Sequence, residues 1–181
     1  AHKWTYALGI GNPQHRRAMD VSLTSQGLEP APLVHPSVLI GPDVEIGAGA
    51  VICANTVMTT NVRIGASAQI NIGCVIAHDA RIGDYVTFAQ SVNVAGNVSI
   101  EDDATILTNA TLIPGVHVGA GATIGAGAVV TKDGYDIVTV QGQRRTKQPE
   151  TVEWDIESVQ KQGYEHFMLK EIFEAPEVIE N

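Results

Sequence analysis

One histidine of this chain has neighbours that suit it to proton transfer. His78 follows the apolar run 75–77 and is followed directly by Asp79. An imidazole ring titrates near neutral pH, so it can take a proton from an amine or hydroxyl group that attacks a carbonyl carbon. A neighbouring carboxylate orients such a ring and stabilises its cationic form. The pair predicts general-base chemistry; the alternative interpretation is a surface histidine at a turn.

The element that carries His78 is a repeat whose period is six residues and which spans residues 33–132. Large apolar residues recur at every sixth position from Val34 to Val130, and residues of valine size or smaller recur from Val38 to Ala128. Neither an amphipathic helix nor a β-hairpin has this period, whereas short parallel strands wound into a solenoid do. Stacked coils would bury both columns in one interior. Glycine, which often follows the large residue, and asparagine tolerate the backbone angles of corners.

Three six-residue segments complete one coil, so residues eighteen positions apart become neighbours in the stack. The neighbours of His78 are then Thr60 and Gly96, with Pro114 one coil further on. A bulky polar ring therefore projects from a corner beside a coil that offers only a glycine, which leaves space next to the ring. The backbone N–H of Gly96 is a candidate donor to an oxyanion formed in this space.

The sequence Ile-Gly-Ala-Gly-Ala-Val, found at 46–51 and again at 124–129, resembles the hexapeptide repeats of the left-handed β-helix acyltransferases. Over residues 4–133 the chain is similar to the sugar acetyltransferases of that superfamily, which include sialic-acid O-acetyltransferases and UDP-amino-sugar N-acetyltransferases. The resemblance implies a mainly β fold, a left-handed parallel β-helix over residues 33–133. Handedness follows from the resemblance alone, because the general rule for parallel crossovers favours the right hand.

The same resemblance implies a function and a set of site residues. In these enzymes acetyl-CoA donates an acetyl group to an amino or hydroxyl group of a sugar or UDP-sugar, and the active-site pair of histidine and acid matches His78 and Asp79. The family's coenzyme contacts fall on Thr87, Thr108 and Ala126. Several members have histidine in place of Thr87, and this chain lacks their Gly-Val-Pro-Ala segment. The resemblance also implies a homotrimer with the site between adjacent subunits.

Residues 1–32 form a strand, turn, helix and strand unit ahead of the solenoid. We expect a buried strand over Lys3–Ile10, and a helix from Pro13 to about Gln26 with Asn12 as its N-cap. The predicted inner face of this helix consists of Ala18, Met19, Val21 and Leu23. In the resembled family such a unit ends an α/β nucleotide-sugar-binding domain. The turn that includes Gly11 and Asn12 would approach the UDP-sugar, with a plain strand-to-helix turn as the alternative.

Residues 134–181 resemble a different protein. The segments 152–155 and 163–176 are similar to the connection between the glutaminase and isomerase domains of glucosamine-6-phosphate synthase. This connection carries no chemistry, and the N-terminal cysteine that the glutaminase needs is replaced here by Ala1. We expect a foreign, partly helical appendage that begins with a short strand over Ile137–Val140.

Composition excludes several classes of partner. The chain of 181 residues has a net charge of −9, which attracts neither nucleic acid nor an anionic membrane surface. No apolar run approaches the ~20 residues of a membrane span. The N-terminus shows no signal-peptide pattern, which favours a cytoplasmic location. The two cysteines, Cys53 and Cys74, lie in different columns of the repeat, so we expect no disulfide and a reducing compartment.

Three different functions compete with acetyl transfer. A zinc site of three histidines, as in β-helical carbonic anhydrases, needs ligands of matching phase. His117 lies 39 residues after His78 and His35 lies 43 before it, neither a whole number of coils, so we expect no metal. An inert trimeric β-helix scaffold is the second function, and a fragment of a glutamine–fructose-6-phosphate aminotransferase is the third. The acceptor sugar, and N- against O-acetylation, stay open.

Overall fold

The structure is a computed structural model that describes residues 4–132 together with the strands at 134–138 and 144–145. The unit before the solenoid consists of β1 (Thr5–Tyr6), α1 (Pro13–Ser25) and β2 (Glu29–Pro30). The solenoid is a left-handed parallel β-helix with a triangular cross-section, as predicted. Its three sides are stacks of strands of two or three residues, which we call faces 1, 2 and 3 in chain order.

Each face collects every third strand of the repeat. Face 1 consists of β3 (Leu33–Val34), β6 (Val51–Ile52), β9 (Gln69–Ile70), β12 (Thr87–Phe88), β15 (Thr105–Ile106) and β18 (Thr123–Ile124). Face 2 consists of β4 (Leu39–Ile40), β7 (Val57–Met58), β10 (Val75–Ile76), β13 (Asn93–Val94), β16 (Thr111–Leu112) and β19 (Val129–Thr131). Face 3 consists of β5 (Glu45–Ile46), β8 (Arg63–Ile64), β11 (Arg81–Ile82), β14 (Ser99–Ile100) and β17 (His117–Val118). Corners 1–2, 2–3 and 3–1 join the faces in that order.

The two predicted columns form the core. Strands pair in parallel at a spacing of eighteen residues, so that Ile76 lies between Met58 and Val94. The large residues from Ile52 to Val118 are at most 4% exposed, and those of the small column from Ala50 to Val116 at most 3%. At the first coil Ile40 is 49% exposed, because no coil precedes it on face 2.

The corners differ in one respect from the prediction. The left-handed backbone angle falls on the residue just before the small column, as at Asn97 with φ 59°, and not on the glycines that follow the large column. Those glycines are required for a different reason. A Cβ on Gly65 would lie 2.4 Å from the carbonyl carbon of Gly83, since the backbones of adjacent coils approach closely there.

The N-terminal unit has the predicted order of elements, but its strand is shorter than predicted. Of the described part of the expected strand Lys3–Ile10, only Thr5–Tyr6 forms a strand, which pairs in parallel with the two residues of β2. Helix α1 begins as predicted, with the Asn12 side chain accepting a hydrogen bond of 2.9 Å from the His15 amide. Gly27, with φ 82°, follows the end of the helix.

The predicted inner face of α1 is wrong. Met19 and Val21 are 44% and 63% exposed, whereas the buried helical residues are Pro13, Arg16 and Asp20. The helix lies against corner 3–1, where backbone carbonyl groups of the β-helix point outward and need donors. A polar helix face satisfies those groups, and an apolar face would leave them without hydrogen bonds.

Arg16 is the centre of this contact and is fully buried. Its Nε donates to the Ser67 carbonyl at 2.7 Å, and its guanidinium also donates to the carbonyls of Gly11 and Tyr85 and to Thr87 Oγ1 at 2.9 Å. Burial lowers the pKa of Arg16 to about 10, so the side chain stays charged at neutral pH. The helix is therefore held by a cation bonded largely to neutral backbone oxygens.

Asp20 completes the contact from the next turn of α1. Its carboxylate accepts hydrogen bonds from the Tyr6 hydroxyl, from Ser67 Oγ at 3.0 Å and from the Tyr85 hydroxyl at 2.6 Å. Burial, the largest single influence, would raise the pKa of Asp20, but these three hydrogen bonds and the charge of Arg17 together outweigh it and lower the pKa. The carboxylate is therefore ionised in neutral solution.

We expect Arg16→Met to release α1 from corner 3–1 while the β-helix stays folded. The change keeps most of the side-chain volume but leaves several buried carbonyls unpaired, at a cost of about 3–5 kcal/mol. Hydrogen exchange should show lost protection over residues 13–25 and unchanged protection in the face strands. Arg17→Met is the matched control, because the half-exposed Arg17 pairs with Asp103 at 2.7 Å and its loss should cost about 1 kcal/mol or less. Equal protection of α1 in both variants would contradict this assignment.

The chain continues past the last coil. Strand β20 (Gly134–Val138) pairs antiparallel with β19 and so extends face 2, and β21 (Arg144–Arg145) pairs with β20. The predicted strand over Ile137–Val140 therefore begins three residues earlier, at Gly134. The predicted helical stretches lie outside the described residues. The division into 1–32, 33–133 and 134–181 stays a prediction.

Candidate active site

His78 and Asp79 form the turn of corner 2–3 that follows β10. Nδ1 of His78 lies 2.7 Å from Oδ2 of Asp79, and the two side chains are 55% and 40% exposed. Hydrogen bonds to His78 and Asn61 lower the pKa of Asp79, so its carboxylate is ionised and can only accept. The Nδ1 atom must then carry the proton, and the lone pair of Nε2 is available to take another.

Gly96 lies directly beside this ring. A Cβ on Gly96 would lie 2.5 Å from both Cε1 and Nε2 of His78, so any other residue would displace the imidazole. The space predicted next to the ring is therefore taken by the ring itself, which rests on the glycine. The Gly96 N–H has no hydrogen-bond partner among the described residues, and the glycine is buried beneath the ring.

Two further residues support Asp79, and the sequence analysis did not identify them. Asn61 Nδ2 donates to Asp79 Oδ1 at 2.6 Å, and Arg81 Nη1 donates to the Asn61 carbonyl at 2.7 Å. Asn61 precedes Asp79 by eighteen residues, so the stacking rule that paired His78 with Gly96 could also have found it. Arg81 gave no such signal, because its side chain reaches back by one coil from β11.

The predicted coenzyme residues lie away from this corner of the chain. Thr108 and Ala126 occupy successive coils of corner 1–2, whose backbones are joined by a 2.8 Å hydrogen bond from Gly127 to Thr108. The Thr108 hydroxyl donates to Gln90 Oε1 at 3.2 Å. Face 2 therefore separates this pair from His78, and the chain does not bring them together.

Thr87, the third predicted coenzyme residue, lies on face 1 against the N-terminal unit. Its hydroxyl donates to the Gly11 carbonyl at 2.9 Å and accepts from Arg16. Thr87 thus contacts Gly11, a predicted substrate residue, while Asn12 caps α1 close by. The predicted site residues therefore occupy three separate surfaces of the chain. Their roles in binding and catalysis stay predictions.

An open groove of about 440 Å³ lies on the outer surface of face 3 and extends to corner 3–1. Its lining includes Arg63 and Arg81 at one end and Glu101 and Asp102 at the other. Arg63 pairs with Glu45, whereas the Arg81 guanidinium donates to neutral backbone oxygens. The groove is thus bipolar, with its cationic end next to the His78 turn.

Neither a metal cluster nor a membrane span is evident in the described part of the chain. No three histidine, cysteine or acidic side chains there are grouped so that they could hold a metal ion. No described helix is long and apolar enough to cross a membrane. Both Cys53 and Cys74 are free thiols, and burial raises the pKa of Cys74 to about 11.

The fold and these residues can be compared with known proteins. Residues 97–132 match the family described as bacterial transferase hexapeptide (six repeats). The structure of PerB from Caulobacter crescentus in complex with CoA and GDP-perosamine is 30% identical with a TM-score of 0.71, and the match covers 79% of this chain and 70% of that one. WeeI from Acinetobacter baumannii is 29% identical with a TM-score of 0.58, over 75% of this chain and 71% of that one.

A second kind of similarity covers a short segment. Glutamine–fructose-6-phosphate aminotransferase from Chlorobaculum tepidum is 45% identical over 51 residues, which are 28% of this chain. The same enzyme from Methanosarcina mazei is 48% identical over 53 residues. The chain spans only 8% and 9% of the length of these two enzymes. This similarity identifies a shared segment and carries no activity with it.

The longer match decides the family. It extends over more than two thirds of both chains, and the region it shares is built on the two uninterrupted columns of the six-residue repeat. The repeats that match the family description lie within that same β-helix. The chain therefore belongs to the hexapeptide-repeat family of bacterial transferases.

Proposed function

We propose that the protein is an acetyltransferase that moves an acetyl group from acetyl-CoA to an amino or hydroxyl group of a nucleotide-linked sugar. The observation that carries the proposal is the 2.7 Å contact between His78 and Asp79, which leaves Nε2 of the ring free to accept a proton. The fold supports the substrate class, since the Caulobacter relative was crystallised with CoA and GDP-perosamine. Two further structures of that enzyme carry a replaced histidine, with asparagine in one and alanine in the other.

The residues of corner 2–3 suggest how transfer would proceed. Nε2 of His78 takes the proton from the acceptor amine or hydroxyl as its nitrogen or oxygen attacks the thioester carbonyl carbon. The N–H of Gly96 donates to the oxygen that becomes negative. When the carbon–sulfur bond breaks, the protonated ring returns its proton to the departing thiolate, which leaves as the CoA thiol. Asp79 stabilises the imidazolium between these steps.

We also propose that the site is completed between subunits of a homotrimer. Face 2 lies between corner 2–3, which carries His78, and corner 1–2, which carries Thr108 and Ala126. Four of its six outward positions are apolar, and three of these, Leu39, Val75 and Val129, are 64%, 39% and 40% exposed. Three copies with face 2 toward a common axis would cover this surface and bring corner 2–3 of one next to corner 1–2 of the next.

In this arrangement the N-terminal turn contributes to the acceptor side. A Cβ on Gly11 would meet no atom within 4 Å, so the backbone there is open to a ligand. Asn12 uses its side-chain oxygen to cap α1, which leaves its amide group for other contacts. We propose that Gly11 and Asn12 face the nucleotide sugar, and that Thr87 lies between this turn and the coenzyme.

One observation favours an inert scaffold instead. The Thr87 hydroxyl is already engaged by Gly11 and Arg16, so it has little capacity left for a coenzyme where relatives have a histidine. If the protein is inert, acetyl-CoA should not bind at all. The two functions therefore differ in a single binding measurement.

We expect acetyl-CoA to raise the unfolding temperature of the intact protein, because a ligand that binds only the folded state stabilises it. UDP- and GDP-linked amino sugars should then release free CoA thiol in the presence of acetyl-CoA. The corresponding N-acetylated nucleotide sugars, which have no free amine, are the matched controls for N-transfer. Equilibrium sedimentation of the same sample should give a trimer. An unfolding temperature that does not respond to acetyl-CoA would favour the inert scaffold.

A further inference from the structure

We propose that Asn61 and Arg81 are positioning residues for His78, acting through Asp79. Neither residue touches the imidazole ring, and both lie within the same corner 2–3 or directly after it. The inference rests on the proposed function, since it concerns the base of that reaction. It adds two residues to which the sequence pattern assigns no role.

The Asp79 carboxylate is held at both oxygens. Oδ2 lies 2.7 Å from Nδ1 of His78, and Oδ1 accepts from Asn61 Nδ2 at 2.6 Å. A carboxylate bonded at one oxygen only can rotate and take the ring with it. The second bond, from the preceding coil, removes this freedom and fixes the direction in which Nε2 points.

Arg81 determines which end of the Asn61 amide faces Asp79. Its Nη1 donates to the Asn61 backbone carbonyl at 2.7 Å, and its Nη2 lies 3.5 Å from Asn61 Oδ1. A guanidinium group can only donate, so it selects the oxygen side of the amide. The NH₂ group of Asn61 is then directed at Asp79. Arg81, Asn61, Asp79 and His78 thus form one chain of contacts.

The corner itself does not need this asparagine. Equivalent positions in the other coils of corner 2–3 are Asp43, Asp79, Asn97 and Gly115, and all four have the left-handed backbone angle found at Asn61. Asn97 is the informative comparison, because its amide N–H bonds the His78 carbonyl while its side chain makes no hydrogen bond to the described residues. A turn of the same shape therefore forms without a bridging side chain, and the bridge to Asp79 has a different role.

The first test is a double-mutant cycle on the full chain. Asn61→Gly keeps the left-handed corner and removes the amide, and we expect about a three- to tenfold fall in transfer rate, as for one lost hydrogen bond of ordinary strength. The KM for acetyl-CoA should not change. In the Asp79→Asn background the same change should cost nothing further, because Asn61 acts only through that carboxylate. Arg81→Met should give a smaller loss that is also absent in that background.

Asn97→Gly is the matched control, since it deletes the same side chain from the same corner, one coil beyond Asp79 and two coils from Asn61. It should leave the transfer rate unchanged. Equal losses from Asn61→Gly in the presence and absence of the Asp79 carboxylate would overturn the proposal, because they would mean that Asn61 acts independently.

A second measurement does not depend on activity. Carbon-13 NMR titration of the Asp79 carboxyl should give a higher pKa in Asn61→Gly than in the unchanged protein, and no change in Asn97→Gly. If the pKa of Asp79 is the same in Asn61→Gly as in the unchanged protein, the positioning role is overturned. If the unchanged protein transfers no acetyl group while its Asp79 titration responds to Asn61→Gly, the contact chain stands and the proposed function fails.

Discussion

Replacement of His78 by alanine is expected to lower the rate of acetyl transfer by about 10²–10⁴-fold, the usual contribution of a positioned general base. The fold should survive the change. The ring is 55% exposed and belongs to neither interior column, so its loss opens no cavity in the core. Binding of acetyl-CoA should be nearly unchanged, because the base acts on the proton of the acceptor.

The matched control is His117→Ala. His117 also lies on the surface of the β-helix, with a similar exposure of 60%, and its Nε2 is 3.1 Å from a carboxylate oxygen of Glu101. It differs from His78 in using Nε2 for this contact and in lying on face 3. The measurement is thiol release with a nucleotide-linked amino sugar, followed for both variants. Full activity in His78→Ala, or an equal loss in His117→Ala, would remove His78 from the mechanism.

Asp79→Asn should have a smaller effect than His78→Ala. The amide can still hold the ring but no longer balances the positive charge that forms when Nε2 takes a proton. An effect as large as that of His78→Ala would mean that the carboxylate has a second role, such as binding the acceptor amine directly.

Much of this architecture could be predicted because a strict period ties each position to a face. Once the period is known, Ile76 must face inward, and His78 must stack on Gly96. The same arithmetic reaches Asn61, but only if it is applied to Asp79 as well as to the histidine. The missed contact was therefore present in the sequence as a spacing of eighteen residues.

The buried face of α1 could not be predicted in this way. A helix that lies against a packed apolar surface buries its apolar residues, and this rule favoured Met19 and Val21. The corner that α1 meets presents backbone carbonyls, and their position depends on the completed β-helix. Arg16 is buried because those oxygens need donors, a requirement that no local pattern in residues 13–25 expresses. Tertiary context decided which face of the helix turned inward.

The largest expected effect on stability is that of Ile100→Asp. Ile100 is 2% exposed and lies in the large column of face 3 between Ile82 and Val118, its partners in the adjacent coils. The change removes a buried aliphatic side chain and puts a carboxyl group where no donor is available. Together these effects should cost at least about 4 kcal/mol of unfolding free energy. Because each coil packs only against its neighbours, the lost packing should weaken the contact between the coils on the two sides of this strand.

Ser99→Asp is the control that isolates the direction of the side chain. It introduces the same charge on the same strand, but toward solvent and between Arg81 and His117 in the register. Its free energy of unfolding should change by less than about 0.5 kcal/mol. Urea titration of both variants should therefore separate them widely, and equal midpoints would mean that the column register is wrong.

The pH dependence of Ile100→Asp gives the same assignment an independent check. Burial disfavours the ionised carboxylate, so the pKa of the introduced group is raised in the folded state above its value in the unfolded chain. At pH values above the pKa of the unfolded chain, the folded state then binds more protons than the unfolded state. The free energy of unfolding therefore falls as the pH rises. The loss of unfolding free energy relative to the unchanged protein should thus be smallest in acid and grow toward neutral pH. A deficit that does not vary with pH would show that the introduced carboxyl reaches water, which a dry interior column does not allow.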